Sequence, residues 1–296
     1  ADAGWGHDFA DVYLEVARSF DSTPDGGGGW GAILRGTATG AKSEFEASLR
    51  HYDQDFANPY ARPIAAADEL DGLRARDETG GRLRYTALVE KTWQLSALVD
   101  VWVQSSVQTP KARLYLRADH DLTNQWSWGA WTEIYDNDLS RSGHMQCFSI
   151  SLEEDENGEP VPCSGQKLQI AGRLRYQPRR DFSLAMQYQH RWVDDANPEF
   201  ANAYRQDLSA WLVASAKVSS EVRVRARFRY LSEAVSDATY GEESLWAYVD
   251  FTYRLPRDLR LRARYDLVSW LDERASSQVR SPNPEHWLWL EVEQKF

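Results

Sequence analysis

No run of about 18 consecutive apolar residues occurs anywhere in the chain, which excludes a bundle of transmembrane helices. Basic charge is also short: 34 Lys and Arg stand against 45 Asp and Glu, a net charge of −11. A dedicated nucleic-acid binder would show the opposite surplus. Cysteine is nearly absent, and the two present, Cys147 and Cys163, have no His at ligand spacing, so no metal site is expected. GxSxG, HExxH and phosphate-binding glycine-loop motifs are missing too. His7, His51, His120, His144, His190 and His286 are scattered, with no Ser or carboxylate partner at strand spacing. No enzyme and no cofactor is therefore expected, although a site assembled from several strands would escape this reading. A mean hydropathy of −0.61 suits an acidic chain in water. It leaves open a membrane crossing by strands, which place only alternate residues on lipid.

What is abundant is aromatic: 13 Trp, 14 Tyr and 10 Phe in 296 residues exclude a disordered chain. Period-2 alternation runs through nearly the whole sequence. In VRVRARFRY, Val222, Val224, Ala226, Phe228 and Tyr230 share one face and Arg223, Arg225, Arg227 and Arg229 the other. LRLRARY repeats this, with Leu259, Leu261, Ala263 and Tyr265 opposing Arg260, Arg262 and Arg264. A helix would spread these arginines around its circumference. The same reading predicts fourteen strands, at 10–20, 30–38, 43–53, 81–90, 93–105, 111–119, 125–135, 167–176, 181–192, 206–218, 221–231, 244–254, 258–268 and 287–296. No helix is expected beyond a turn within 66–77. Connections alternate in length: short ones such as 39–42, 91–92 and 218–220 interleave with long ones such as 54–80, 136–166 and 193–205. The short link at 106–110 breaks the order. Gly26–Gly29, ahead of Trp30, reads as a flexible turn.

Such alternation is expected of a transmembrane barrel with short turns at one rim and long loops at the other. A soluble β-sandwich or propeller also alternates, but has no reason to keep that order of connections. Aromatics near strand ends, among them Trp30, Trp126, Tyr188 and Tyr253, suit interfacial girdles. The last strand, HWLWLEVEQKF, places Leu288, Leu290, Val292 and Phe296 on one face, with Gln294 departing from the pattern. It resembles the C-terminal strand signature of bacterial outer-membrane β-barrels. By strand number and length the chain looks like the fourteen-stranded monomeric porin class. The resemblance implies one all-β domain over 1–296, an up-and-down antiparallel barrel in the bacterial outer membrane, closed between 287–296 and 10–20. It also implies recognition of Phe296 by the barrel-assembly machinery, contact with membrane lipid and lipopolysaccharide, and a monomer. Ala1-Asp2-Ala3-Gly4 suits a mature end left by signal cleavage.

If apolar faces meet lipid, the others line a lumen. Its expected basic members include Arg82, Arg84, Arg113, Arg117, Arg173, Arg175, Arg254 and the two arginine ladders; its acidic members include Glu15, Glu44, Glu46, Asp250, Glu291 and Glu293. Dry burial of so much charge would cost several kcal/mol per unpaired ion, so a wet lumen is expected. An acidic wall from Glu291, Glu293, Glu15, Glu44 and Glu46 is expected to face the basic one, and both ladders are expected to draw anions. The competing reading is that the arginines brace the wall by pairing with neighbouring acids. Trp102, Trp131, Trp211, Trp246 and Trp289 also fall on lumen faces, where they either stack on solutes or fill space.

Cys147 and Cys163 flank a polar segment, and a disulfide closing the 136–166 loop is expected in an oxidising compartment. Glu153, Glu154, Asp155 and Glu156 form an acidic run that either binds divalent cations or is a solvated loop. The expected function is passive diffusion of small hydrophilic solutes, anions among them. The alternative is a barrel plugged by 54–80 or 136–166 that anchors an envelope protein partner.

Overall fold

The computed structural model describes residues 1–20, 28–56, 77–105, 108–136, 138–140, 153–154, 160–161, 165–194, 204–233, 235, 243–256, 259–271 and 284–294. Cys147, Cys163, Phe296, most of 54–80 and most of 136–166 lie outside them, and with these the expected disulfide and any loop plug.

The described elements are all strands: β1 (Asp2–His7), β2 (Ala10–Arg18), β3 (Trp30–Thr39), β4 (Ser43–Tyr52), β5 (Glu78–Val89), β6 (Trp93–Gln104), β7 (Thr109–Asp121), β8 (Trp126–Asp136), β9 (Glu153–Glu154), β10 (Pro160–Val161), β11 (Gln166–Arg179), β12 (Phe182–Val193), β13 (Arg205–Lys217), β14 (Val222–Ser232), β15 (Glu243–Leu255), β16 (Leu259–Trp270) and β17 (Glu285–Gln294). Fifteen of them form one sheet in chain order, and β9 and β10 make a separate small hairpin. The fold is an all-β, up-and-down antiparallel sheet, with one strand more than the alternation alone predicts. The additional strand, β1, escapes sequence reading because it is six residues long and contains Gly4 and Gly6. Its two-residue link to β2 extends the order of short and long connections seen in the sequence.

Closure between 287–296 and 10–20 is not what the ladders show. The free edge of β2 is taken by β1, with Trp5 opposite Val12 and Asp2 opposite Glu15. Among the described residues β17 pairs with β16 alone.

The chain divides into two compact units. The first comprises Ala1–Ala118, Thr132–Leu168 and Asp194–Tyr204, the second Asp119–Trp131, Gln169–Val193 and Arg205–Phe296. Within each, directly opposed residues of an antiparallel pair share a face, so the register defines rows across the strands. In the first unit Leu14, Leu34, Leu49, Gly81 and Val101 form one row, and Glu15, Ile33, Arg50, Gly80 and Trp102 form the adjacent row on the other face. In the second, Met186, Leu212, Phe228 and Ala247 form an apolar row.

Burial is inverted relative to a water-soluble protein. Leu49 is 62 % exposed, and Leu34, Met186, Leu212, Phe228 and Leu290 are exposed as well. Meanwhile Arg50, Glu78, Asp207, Asp250 and Asp266 are buried. The one cluster of buried apolar residues among those described is Tyr52 with Phe56. A water-soluble domain hides its apolar faces from solvent; strands that show them outward on one face and charge on the other suit lipid on the first and water or ion pairs on the second.

Candidate pore face

On the polar face of the second unit, strand spacing brings two arginine ladders close together and the acids decide between them. Along β16 every arginine is matched. Arg260 reaches Glu291 at 3.1 Å and Glu293 at 2.7 Å on β17. Arg262 donates Nε to Asp250 of β15 at 2.7 Å and Nη1 to Glu291 at 3.3 Å. Arg264 grips Asp266 through Nε at 2.8 Å and Nη2 at 2.7 Å. Glu291 and Glu293 therefore do not stand in a wall opposite the arginines; they are next-strand neighbours that neutralise them. The reason is register: Arg262 opposes Glu291 and Arg260 opposes Glu293 directly. Each arginine of this ladder thus has a carboxylate partner, the arrangement that the bracing reading expects.

The β14 ladder differs. Arg223, Arg225, Arg227 and Arg229 have no carboxylate partner among the described residues. What holds the third is aromatic. Its Cζ lies 5.7 Å from the Trp211 ring centre and 5.3 Å from that of Trp246. Both tryptophans oppose Arg229, so Arg227 reaches them diagonally along the strand. Trp211 also takes Arg173, at 5.8 Å, and Trp246 takes Arg264, at 5.9 Å. Arg173 in turn lies 5.6 Å from Trp131 and donates Nε to Gln187 at 3.2 Å. The result is a chain, Trp131–Arg173–Trp211–Arg227–Trp246–Arg264, crossing the sheet from β8 to β16. An indole attracts a guanidinium through its quadrupole without cancelling the charge, which a carboxylate would do. The polar-face tryptophans Trp131, Trp211 and Trp246 thus each lie against at least one guanidinium.

In the first unit a buried group centres on Arg50, which, with Glu78, sequence reading did not single out. Arg50 on β4 donates Nε to Glu78 on β5 and Nη1 to Asp100 on β6 at 2.7 Å, and its side chain is fully buried. Its Cζ also lies 5.9 Å from the Trp102 ring centre. Gly80 sits between them in the row, and a Cβ there would meet the Cβ of Trp102 at 2.6 Å. Only glycine leaves Arg50 and Trp102 room to meet across the intervening strand. Glu78 was hidden because the polar 54–80 segment reads as loop, whereas β5 starts at Glu78; the matching parity of Glu44, Glu46 and Arg50 was the available signal. Asp207, held by Arg205 at 2.9 Å and approached by Arg191 at 3.4 Å, lies inside the predicted strand 206–218 and was not singled out.

The remaining expected residues are dispersed. Arg82 opposes Ser48 and Asp100, and Arg84 opposes Glu46. Arg113 pairs with Glu133 at 2.8 Å. Arg175 bonds Gln177 at 2.7 Å. Arg117 lies on β7. Glu15 accepts the Tyr13 hydroxyl at 3.3 Å, and Glu44 opposes Thr39 and Thr86. Arg254 stands directly opposite Arg260.

No family model and no curated protein matches the chain. Among solved structures it is similar to OmpT, an outer-membrane protein of Vibrio cholerae in trimer form, at 11 % identity and a TM-score of 0.40, over 91 % of this chain and 89 % of that one. It is also similar to the NanC porin at 12 % identity and a TM-score of 0.38, over 74 % and 94 % of the two chains. A third is TodX, a monoaromatic hydrocarbon channel, in a mutant form, at 10 % identity and a TM-score of 0.34, over 90 % and 83 %.

Proposed function

We propose that residues 1–296 form a single outer-membrane β-barrel that lets small hydrophilic solutes diffuse through a water-filled lumen, with a preference for anions and without covalent chemistry. The membrane placement rests on the inversion of burial described above. The preference rests on one observation: four consecutive polar-face positions of β14 are arginines without a carboxylate partner among the described residues. Guanidinium groups stay charged at any working pH. Lined up in a narrow aqueous passage, they raise the local concentration of anions and the barrier to cations.

The test is a reversal potential in a potassium chloride gradient across a planar bilayer. The parent protein is expected to conduct and to favour chloride. Replacing Arg223, Arg225 and Arg229 together by Gln is expected to move the reversal potential toward cation preference, with a smaller shift at high salt, where screening shortens the reach of each charge. Arg227 is left in place because it is packed between two tryptophans. A parent that inserts and does not conduct would remove the channel reading; an unshifted variant would remove the role given to β14.

A further inference from the structure

At the short-turn end of the second unit, four strand ends bring cations onto one face. Lys217 ends β13 and directly opposes Arg223 at the start of β14. Arg254, near the end of β15, directly opposes Arg260 at the start of β16. Like charges directly opposite in a sheet repel each other and destabilise the pair. Here two such pairs lie side by side around a cavity of about 130 Å³ that also touches Ser220, Glu221 and Thr252.

The acids at hand relieve this repulsion at Arg260 and leave the other three cations without an ion pair among the described residues. Glu221 is the one carboxylate lining the cavity, and it accepts hydrogen bonds from the hydroxyls of Ser219 and Ser220. Glu291 and Glu293 bind Arg260 alone among the four. Arg260 Nε is shielded from solvent and has no acceptor. Lys217, Arg223 and Arg254 have no carboxylate within ion-pair distance among the described residues.

We propose that Lys217, Arg223 and Arg254, with the unpartnered Nε of Arg260, form a binding site for a tetrahedral oxyanion, with inorganic phosphate as its simplest member. The volume suits it, since a water occupies about 30 Å³ in the liquid and the cavity holds several. The donors converge from four strand ends around the cavity, an arrangement that matches oxygens pointing in several directions better than one planar carboxylate. All four cations lie on the polar face, away from Tyr253 and Leu261 on the apolar one, so the anion arrives from water and not as a lipid headgroup. The site shares Arg223 with the β14 ladder, but its binding does not require conduction, because the cavity lies at the strand ends and fills whether or not the lumen is open.

The experiment is calorimetric titration of the refolded full chain, in a phosphate-free nonionic detergent at low salt, with inorganic phosphate. Saturable binding is expected. Lys217→Gln with Arg254→Gln is expected to weaken it about tenfold or more, as the loss of charge-assisted hydrogen bonds implies. Lys217→Arg with Arg254→Lys, which keeps both charges, is expected to bind, and so is Arg179→Gln with Arg180→Gln, which removes two cations from a neighbouring turn. Circular dichroism establishes that each variant is folded. Absence of saturable binding by the parent, or equal binding by the Lys217→Gln, Arg254→Gln variant, would overturn the site. Equal saturation by acetate would overturn the tetrahedral class. Displacement of phosphate by phosphatidylglycerol in mixed micelles would overturn the aqueous source. Because calorimetry does not need conduction, loss of this site and loss of the channel reading are separate results.

Discussion

Arg262 holds Asp250 through Nε at 2.7 Å, although Asp250 directly opposes Arg225 on one side and Arg264 on the other. That single choice leaves Arg225 without its nearest acid. It separates a neutralised ladder on β16 from a charged one on β14, two strands away.

The separation has a measurable consequence for selectivity. Arg225→Gln is expected to move the reversal potential toward cations. Arg262→Gln combined with Asp250→Asn removes one charge of each sign and is expected to leave it nearly unchanged. The same bilayer measurement reads both. A larger shift in the balanced double variant would show that β16 takes part in filtering.

Arg50 is expected to matter for stability. Arg50→Ala leaves Glu78 and Asp100 in a buried site without their cation. Breaking a buried pair from one side typically costs about 3–5 kcal/mol. Urea unfolding of the protein refolded into lipid vesicles measures this. A loss below about 1 kcal/mol, the range of an exposed pair, would mean that the group is hydrated in the native protein.

The apolar rows should be intolerant of charge in proportion to their depth in lipid. Leu34→Arg and Leu49→Arg sit mid-row on β3 and β4. Each is expected to cost about 2–4 kcal/mol if its position lies near the bilayer midplane, less toward either interface. The readout is folding yield and urea midpoint in vesicles. Unchanged stability in both would contradict a lipid-facing row.

The entrance to β3 should depend on pH through Asp53. Its carboxylate accepts the Trp30 backbone N–H at 2.8 Å and meets His51 Nε2 at 3.0 Å. The Trp30 hydrogen bond, and secondarily His51, hold this carboxyl below the usual carboxylate range. A depressed acid contributes its stabilisation above the ordinary range and loses it as pH falls through the lowered value. Protection of the Trp30 amide against hydrogen exchange, corrected for intrinsic rates, should therefore persist through mild acid and decline only below it. Asp53→Asn should remove that dependence. A decline centred at or above the ordinary carboxylate range would contradict the anchoring.

The alternation of VRVRARFRY and LRLRARY was enough to place those residues in strands and to sort their arginines onto one face, because period 2 is a local property of extended backbone. The same alternation, with its rhythm of short and long connections, carried the architecture. It could not find β1, whose two glycines and short length give no periodic signal, nor Glu78, set in a polar stretch that reads as loop. Above all it could not say which acid meets which arginine. Asp250 and Arg262, or Arg260 and Glu293, are brought together by cross-strand register and by the direction each side chain leans. The tryptophans that hold Arg173 and Arg227 without cancelling their charge come from other strands, set against them by register. Face is decided by the residue and its neighbours in sequence; neutralisation is decided by residues on other strands, and only the folded sheet supplies them.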